Sequence, residues 1–156
     1  MKRAEVATWN DHVRDRLLGS GWDAVRLHGS IRGNTVECCP SGPLVAIRVA
    51  HLMRRRHVVT VRDKRYTYSY PTWEFNCHVR GQRVVGADFW IFVAVDSHDD
   101  TGLRSASAQC WIVPASQVRS LTWSLHRGRR TTGARVGQYR DAWHLVQRPA
   151  RRRRAA

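Results

Sequence analysis

Apolar residues at Val6, Trp9, Val13, Leu17 and Leu18 recur at helical spacing, and the pattern stops at Gly19-Ser20-Gly21. The spacing predicts a helix from about Ala4 to Leu18. The period then changes. "DAVRLHG" alternates as a strand does, and "GNTVECCPSG" reads as a second strand closing on the turn "PSGP". "PLVAIRVAHLM" is continuous and apolar enough to lie centrally in a sheet. "HVVTVRDKRYTYSYP" alternates through Val59 and Val61, then Tyr66, Tyr68 and Tyr70, which predicts an exposed or edge strand. "TWEFNCHVRGQRVVG" fits a hairpin arm or an irregular loop equally well. "ADFWIFVAVDSHDD" carries the strongest strand pattern, aromatic and β-branched, running into an acidic turn. "SAQCWIVPASQVRSLTW" predicts a strand, a proline break and a helix starting near Ala115 or Ser116. "TTGARVGQYRDAWHLVQ" ends in a short amphipathic helix with Tyr139, Trp143 and Val146 inward. The order of helix, strands, helix and helix predicts an α/β fold with a mixed sheet. There is no internal repeat and no linker, so one domain is expected over 1–147. The residues 148–156 form a basic tail without apolar anchors, expected to be disordered.

Composition adds a partner. The chain has 156 residues, enough for one core, and its 42% apolar content is that of a globular protein. Its 27 Lys+Arg against 12 Asp+Glu give a net charge of +15. Such an excess calls for a polyanion, nucleic acid first and an acidic membrane surface second. Only Lys2 and Lys64 are lysines, so nearly all the charge is guanidinium, which grips phosphate bidentately and stacks on bases. Codon usage in a GC-rich genome also favours arginine over lysine, but it does not account for the net charge. No apolar run approaches the ~20 residues of a membrane span, and the N-terminus lacks the apolar core of a signal peptide. A cytoplasmic protein with four reduced cysteines is expected. Cys38-Cys39 and Cys77-His78 are adjacent pairs without zinc-site spacing, and no phosphate-cradling glycine loop or nucleophile elbow is present.

Three segments in this order, "ADFWIFVAVD", "CWIVPASQV" and "YRDAWHLV", resemble small bacterial proteins of the restriction-endonuclease-like, PD-(D/E)XK superfamily. These begin with a helix and a glycine-tryptophan turn like "GSGWDAVRL", so the likeness runs from about Trp9 to Val146. The resemblance implies a restriction-endonuclease-like mixed central sheet of about five strands flanked by helices. It also implies an active site on a strand hairpin, where Mg²⁺ assists phosphodiester hydrolysis. In that pattern an Asp opens the first hairpin strand and a second acid sits on the next. A Lys two residues further faces the same side, and a Glu comes from the first helix. Laid on "TVECCPSGPLVAIRVAH", the Asp falls on Thr35, the second acid on Arg48 and the lysine on Ala50. The helix glutamate falls near Asn10. All four lack the required group, which describes a degenerate nuclease site. Glu37, two residues from Thr35 on the same side, is the one candidate to stand in for the missing Asp.

The function this implies is binding of nucleic acid, DNA before RNA, without cutting and with no cofactor. The interface set is Arg48, Arg54, Arg55, Arg56, Lys64, Arg65, Arg127, Arg129, Arg130 and the tail, Arg151, Arg152, Arg153 and Arg154. Arg48, standing where the acid would be, is placed to hold phosphate. No helical reading head is evident, so weak sequence preference is expected. The first alternative is a Mg²⁺-dependent endonuclease with relocated acids such as Glu37; the second is a basic RNA- or ribonucleoprotein-associated assembly protein. Pairing into a homodimer is compatible with the resemblance. The stripe Tyr66, Tyr68, Tyr70 is expected to pack as one face of a sheet on a helix. Its other reading is a stacking platform for unpaired bases.

Overall fold

The computed structural model describes residues 3–30, 33–79, 82–83, 86–96, 108–119, 122–126 and 134–149. Helix α1 (Arg3–Gly19) forms as its spacing predicts, with Val13 and Leu17 fully buried. It ends where the Ser20 and Gly21 N–H groups donate to the Leu17 and Leu18 carbonyls, each at 3.0 Å. Gly21 takes φ 93°, a left-handed conformation that costs glycine little. Strands β1 (Ala24–Ser30), β2 (Gly33–Cys39) and β3 (Leu44–His51) follow as an antiparallel meander. The chain then leaves this sheet through β4 (Met53–Val61), β5 (Lys64–Asn76) and a short pair, β6 (His78–Val79) and β7 (Gln82–Arg83). It returns as β8 (Phe89–Val95), parallel to β3, with β9 (Ala108–Pro114) antiparallel to β8. After a 3₁₀ turn at Ala115–Gln117 come β10 (Thr122–His126), the one-turn helix α2 (Ala134–Gly137) and a last 3₁₀ turn at Trp143–Val146.

The main sheet has the order β1-β2-β3-β8-β9, which puts β3 at its centre. A second sheet, β10-β5-β4, has three strands. A parallel pair such as β3 and β8 needs a crossover, ordinarily a helix. Here strands do the crossing. One face of the main sheet buries Val36, Cys38, Val45, Ile47, Ile91 and Val93 against Val13 and Leu17 of α1 and the C-terminal turns. The other buries Ala46, Ala50, Trp90, Phe92 and Trp111 against Trp73 and Phe75 of β5 and Leu125 of β10. The fold is therefore mixed α/β with few helices: the five-stranded mixed sheet forms as expected, but of the helices expected to flank it α1 covers one face, and the other is covered by a second sheet.

Two further expectations change. The helix after Pro114 is only a 3₁₀ turn, because Val118 leaves helical geometry with φ −90° and ψ 86° and is buried in the second core. The segment beyond becomes β10, whose buried Leu125 lies opposite Trp73. The strand expected through Val59 and Tyr70 is the two arms of a hairpin. Arg62 and Asp63 take φ 48° and 61°, a left-handed pair that matches the twist of a two-residue hairpin turn. Among the described residues β10 pairs β5 over Thr72–Asn76, and from Pro71 to the turn the described pairing of the hairpin is that of a two-stranded ribbon. Its residues are exposed on both faces almost throughout. Among the described residues, no helix is long and apolar enough to cross a membrane.

The turn between β2 and β3 makes a packing demand. A Cβ on Gly42 would lie 2.5 Å from the Cys38 carbonyl oxygen and 2.6 Å from the Trp22 ring. Trp22 has no room to retreat, since its indole N–H donates to the Val146 carbonyl at 2.7 Å. Gly42→Ala is expected to cost ~1–3 kcal/mol by overpacking. Gly19→Ala, with nothing within 4 Å, is the neutral control. Urea unfolding of the two variants checks this.

Candidate functional site

The β2–β3 hairpin is built by alternation. Thr35 lies opposite Ala46 and Glu37 opposite Leu44, so Val36, Cys38, Val45 and Ile47 turn toward α1. Thr35, Glu37, Arg48 and Ala50 turn the other way, toward the second sheet. The structure thus brings three of the four positions implied by the resemblance onto one face. Asn10 is not among them: it is buried on the α1 side, with its Oδ1 lacking a hydrogen-bond partner.

Each of the three is occupied by other work. The Thr35 hydroxyl donates to the His28 carbonyl at 3.5 Å. Arg48 Nε donates to the Asn76 carbonyl at 2.8 Å, and one terminal N–H donates to the Ile47 carbonyl at 2.7 Å. Its guanidinium lies 5.1 Å from the Trp90 ring centroid, a cation–π contact. Burial pushes the Arg48 pKa below its ordinary value, against a smaller opposing effect from Cys77. Arg48 therefore fastens β3 to the end of β5. Ala50 is buried in the core between the sheets. Glu37 Oε2 lies 3.1 Å from His28 Nε2, with the two side chains 44% and 52% exposed.

These residues do not fit Mg²⁺. The ion takes several hard oxygen ligands, and of Thr35, Glu37, Arg48 and Ala50 only Glu37 is a carboxylate, already against His28, with a guanidinium where the resemblance puts the second acid. Among the described residues, no group of three or more His, Cys, Asp or Glu side chains is placed to hold a metal ion. Two of the four thiols are also held away from the nucleophilic thiolate form. Desolvation, reinforced by Cys39 and Glu37, pushes Cys38 up to about 11. Desolvation and then Asp141 push Cys110 up to about 12. Both stay protonated at neutral pH.

The basic residues gather elsewhere, on the ribbon. Directly opposed residues in an antiparallel pair share a face. The pairs Arg54–Pro71, Arg56–Ser69, Val58–Thr67 and Thr60–Arg65 therefore define one face, carrying Arg54, Arg56 and Arg65. The pairs Arg55–Tyr70, His57–Tyr68, Val59–Tyr66 and Val61–Lys64 define the other. Arg55 bonds the Glu74 carboxylate at the ribbon's base. The tyrosines share one side, but they do not pack on a helix as expected. Tyr66 and Tyr68 are 53% and 41% exposed, because their strand has left the body of the protein. His57 and Tyr68 rings lie 5.2 Å apart, and Tyr68 and Tyr70 rings 6.3 Å apart. Met53 and Val61 are exposed on the same face and Val58 on the other, and the charge of Arg62 sits at the tip. Val61 belongs to the alternation read from sequence, whereas Met53, Val58 and His57 were not singled out; an apolar alternation flanked by arginines on both strands is the signal that marks them.

Arg148, expected in the tail, is held to the body: its backbone N–H donates to the Ser20 carbonyl at 3.1 Å, and its guanidinium meets Asp23 at 2.5 Å. Arg127, Arg129, Arg130 and Arg151 to Arg154 lie outside the described residues, as does the acidic turn beyond Asp96. No family model, curated protein or solved structure matches this chain.

Proposed function

We propose that this chain binds nucleic acid, DNA foremost, on a restriction-endonuclease-like framework whose catalytic hairpin no longer cuts. The order of helix, three-stranded meander, parallel β8 and antiparallel β9 supports the framework. The observation that carries the functional reading is Arg48. At the position of the second acid, a guanidinium bonds the Asn76 carbonyl and covers Trp90. A site so filled has exchanged metal binding for structure. Affinity then comes from charge: Arg54, Arg56, Lys64 and Arg65 stand exposed on the ribbon, where phosphates reach them from solvent. The arginine-rich segments at 127–130 and 151–154 add to the same field.

The test is one set of samples read two ways. Labelled duplex, single-stranded and branched DNA are incubated with the protein and Mg²⁺ or Mn²⁺. Mobility shift and cleavage are then scored together. Binding without cleavage is expected. Metal-dependent cleavage that disappears in Glu37→Ala overturns the reading in favour of a nuclease with relocated acids. Absence of binding to all three substrates overturns it altogether.

A further inference from the structure

The ribbon carries more than charge. Five of the seven large apolar or aromatic side chains left exposed in the described structure, Met53, Val58, Val61, Tyr66 and Tyr68, lie on it. A two-stranded ribbon with both faces in water ordinarily has no reason to hold them, and an open strand edge rich in such residues invites association. A second copy of this chain is a poor occupant. Residues 53–70 contain six cations, Arg54, Arg55, Arg56, Arg62, Lys64 and Arg65, against the single acid Asp63, so two ribbons repel each other. The complementary partner is polyanionic and also has flat apolar faces. Unpaired nucleotides are both.

Resting on the nucleic-acid reading above, we propose that the tyrosine face of the β4–β5 ribbon is a stacking platform for single-stranded nucleic acid. Side chains two apart on a strand stand ~6.8 Å from one another, and the Tyr68 and Tyr70 centroids are 6.3 Å apart. That is close to two base-stacking intervals of ~3.4 Å each. One base therefore fits between successive rings, with a turn of the exposed Tyr68 side chain closing the 35° between the ring planes. His57, tilted against Tyr68 from the neighbouring strand, backs the ring and limits its drift. Lys64 stands on this face, and Arg54, Arg56 and Arg65 lie on the reverse. Their long side chains reach round the narrow ribbon to the phosphates of a strand lying along it. A duplex is the less suited ligand. Stacking on these rings needs free base faces, which a duplex keeps stacked on one another and a single strand exposes.

Fluorescence anisotropy with a labelled fifteen-nucleotide oligothymidine and a fifteen-base-pair duplex decides it. The full-length protein is compared with Tyr66→Ala/Tyr68→Ala and Tyr66→Phe/Tyr68→Phe. Stacking contributes ~1–3 kcal/mol per base by alanine substitution, and ~1.4 kcal/mol is tenfold in affinity. The alanine pair should thus weaken oligothymidine binding at least ~30-fold and duplex binding less than ~3-fold, while the phenylalanine pair binds like wild type. Both tyrosines are exposed, and circular dichroism verifies that the variants fold. Equal loss on both ligands overturns the stacking platform in favour of groove binding, with the nucleic-acid reading intact. Unchanged binding of both removes the ribbon's tyrosine face as an interface. If the wild-type protein binds neither ligand, the underlying nucleic-acid reading fails with it.

Discussion

Phe92→Ala is expected to remove ~3–5 kcal/mol of folding free energy, a large part of the ~5–15 kcal/mol a domain of this kind has. Phe92 is fully buried on β8, at the seam between the two sheets. Its ring lies 4.9 Å from Phe75 of β5 and 5.5 Å from Trp123 of β10, nearly parallel to the latter at 13°. On its own strand Trp90 stacks at 5.8 Å. Phe75 and Trp123 face each other across the β5–β10 ladder and Trp90 belongs to the main sheet, so rings held by both sheets keep the space left by the phenyl group from collapsing, and a cavity term adds to the lost burial. Tyr66→Ala on the open ribbon removes a ring of similar size but little burial, and should change stability by less than ~0.5 kcal/mol. Urea unfolding followed by far-ultraviolet circular dichroism compares the two. Phe92→Leu keeps most of the volume and should fall between them, which preserves the comparison if the alanine variant does not fold. A loss at Phe92 no larger than that at Tyr66 would mean that the second sheet does not cover the first.

That seam also marks where the sequence was readable and where it was not. α1 and β8 were legible because each has one consistent environment: Val13 and Leu17 recur on one helix face, and β8 is buried on both faces from Trp90 to Val95. The central place of β3 followed from the same continuity. The hairpin was not legible, because its turn is Arg62-Asp63, without the Asn-Gly chemistry that normally announces positive φ at both positions. β10 was hidden for a different reason. Pro114 imitates the proline that opens helices, and only the long-range pairing of Thr122–His126 with β5 shows that the chain continues as a strand. At the site, alternation placed Thr35 with Glu37 and Arg48 with Ala50, and the resemblance implied that the two pairs share one face. Neither could show that Arg48 reaches Asn76, since a contact across 28 positions leaves no local trace. The tyrosine stripe was correctly read as one-sided. Which side is open depended on where β10 stops pairing, and that is a tertiary fact.

The steepness of the salt dependence separates the ribbon from the remaining cations. Each phosphate neutralised on a single strand contributes a slope of ~0.7 in log affinity against log salt. If the six cations of residues 53–70 carry the contact, the slope for oligothymidine should be near −4, and raising salt from 50 to 200 mM should weaken binding about 300-fold. If Arg48, Arg127, Arg129, Arg130 and Arg151 to Arg154 engage as well, the count rises to fourteen, the slope approaches about −10 and the loss ~10⁶-fold. The two are far apart on a titration of anisotropy against potassium chloride. Replacing Arg54, Arg56 and Arg65 together with glutamine should flatten the slope by ~2 and weaken binding most at low salt. Arg48→Gln should leave the slope unchanged, because its guanidinium is committed to the Asn76 carbonyl and the Trp90 ring. A slope that responds to Arg48 and not to the three ribbon arginines would move the interface from the ribbon to the β2–β3 hairpin.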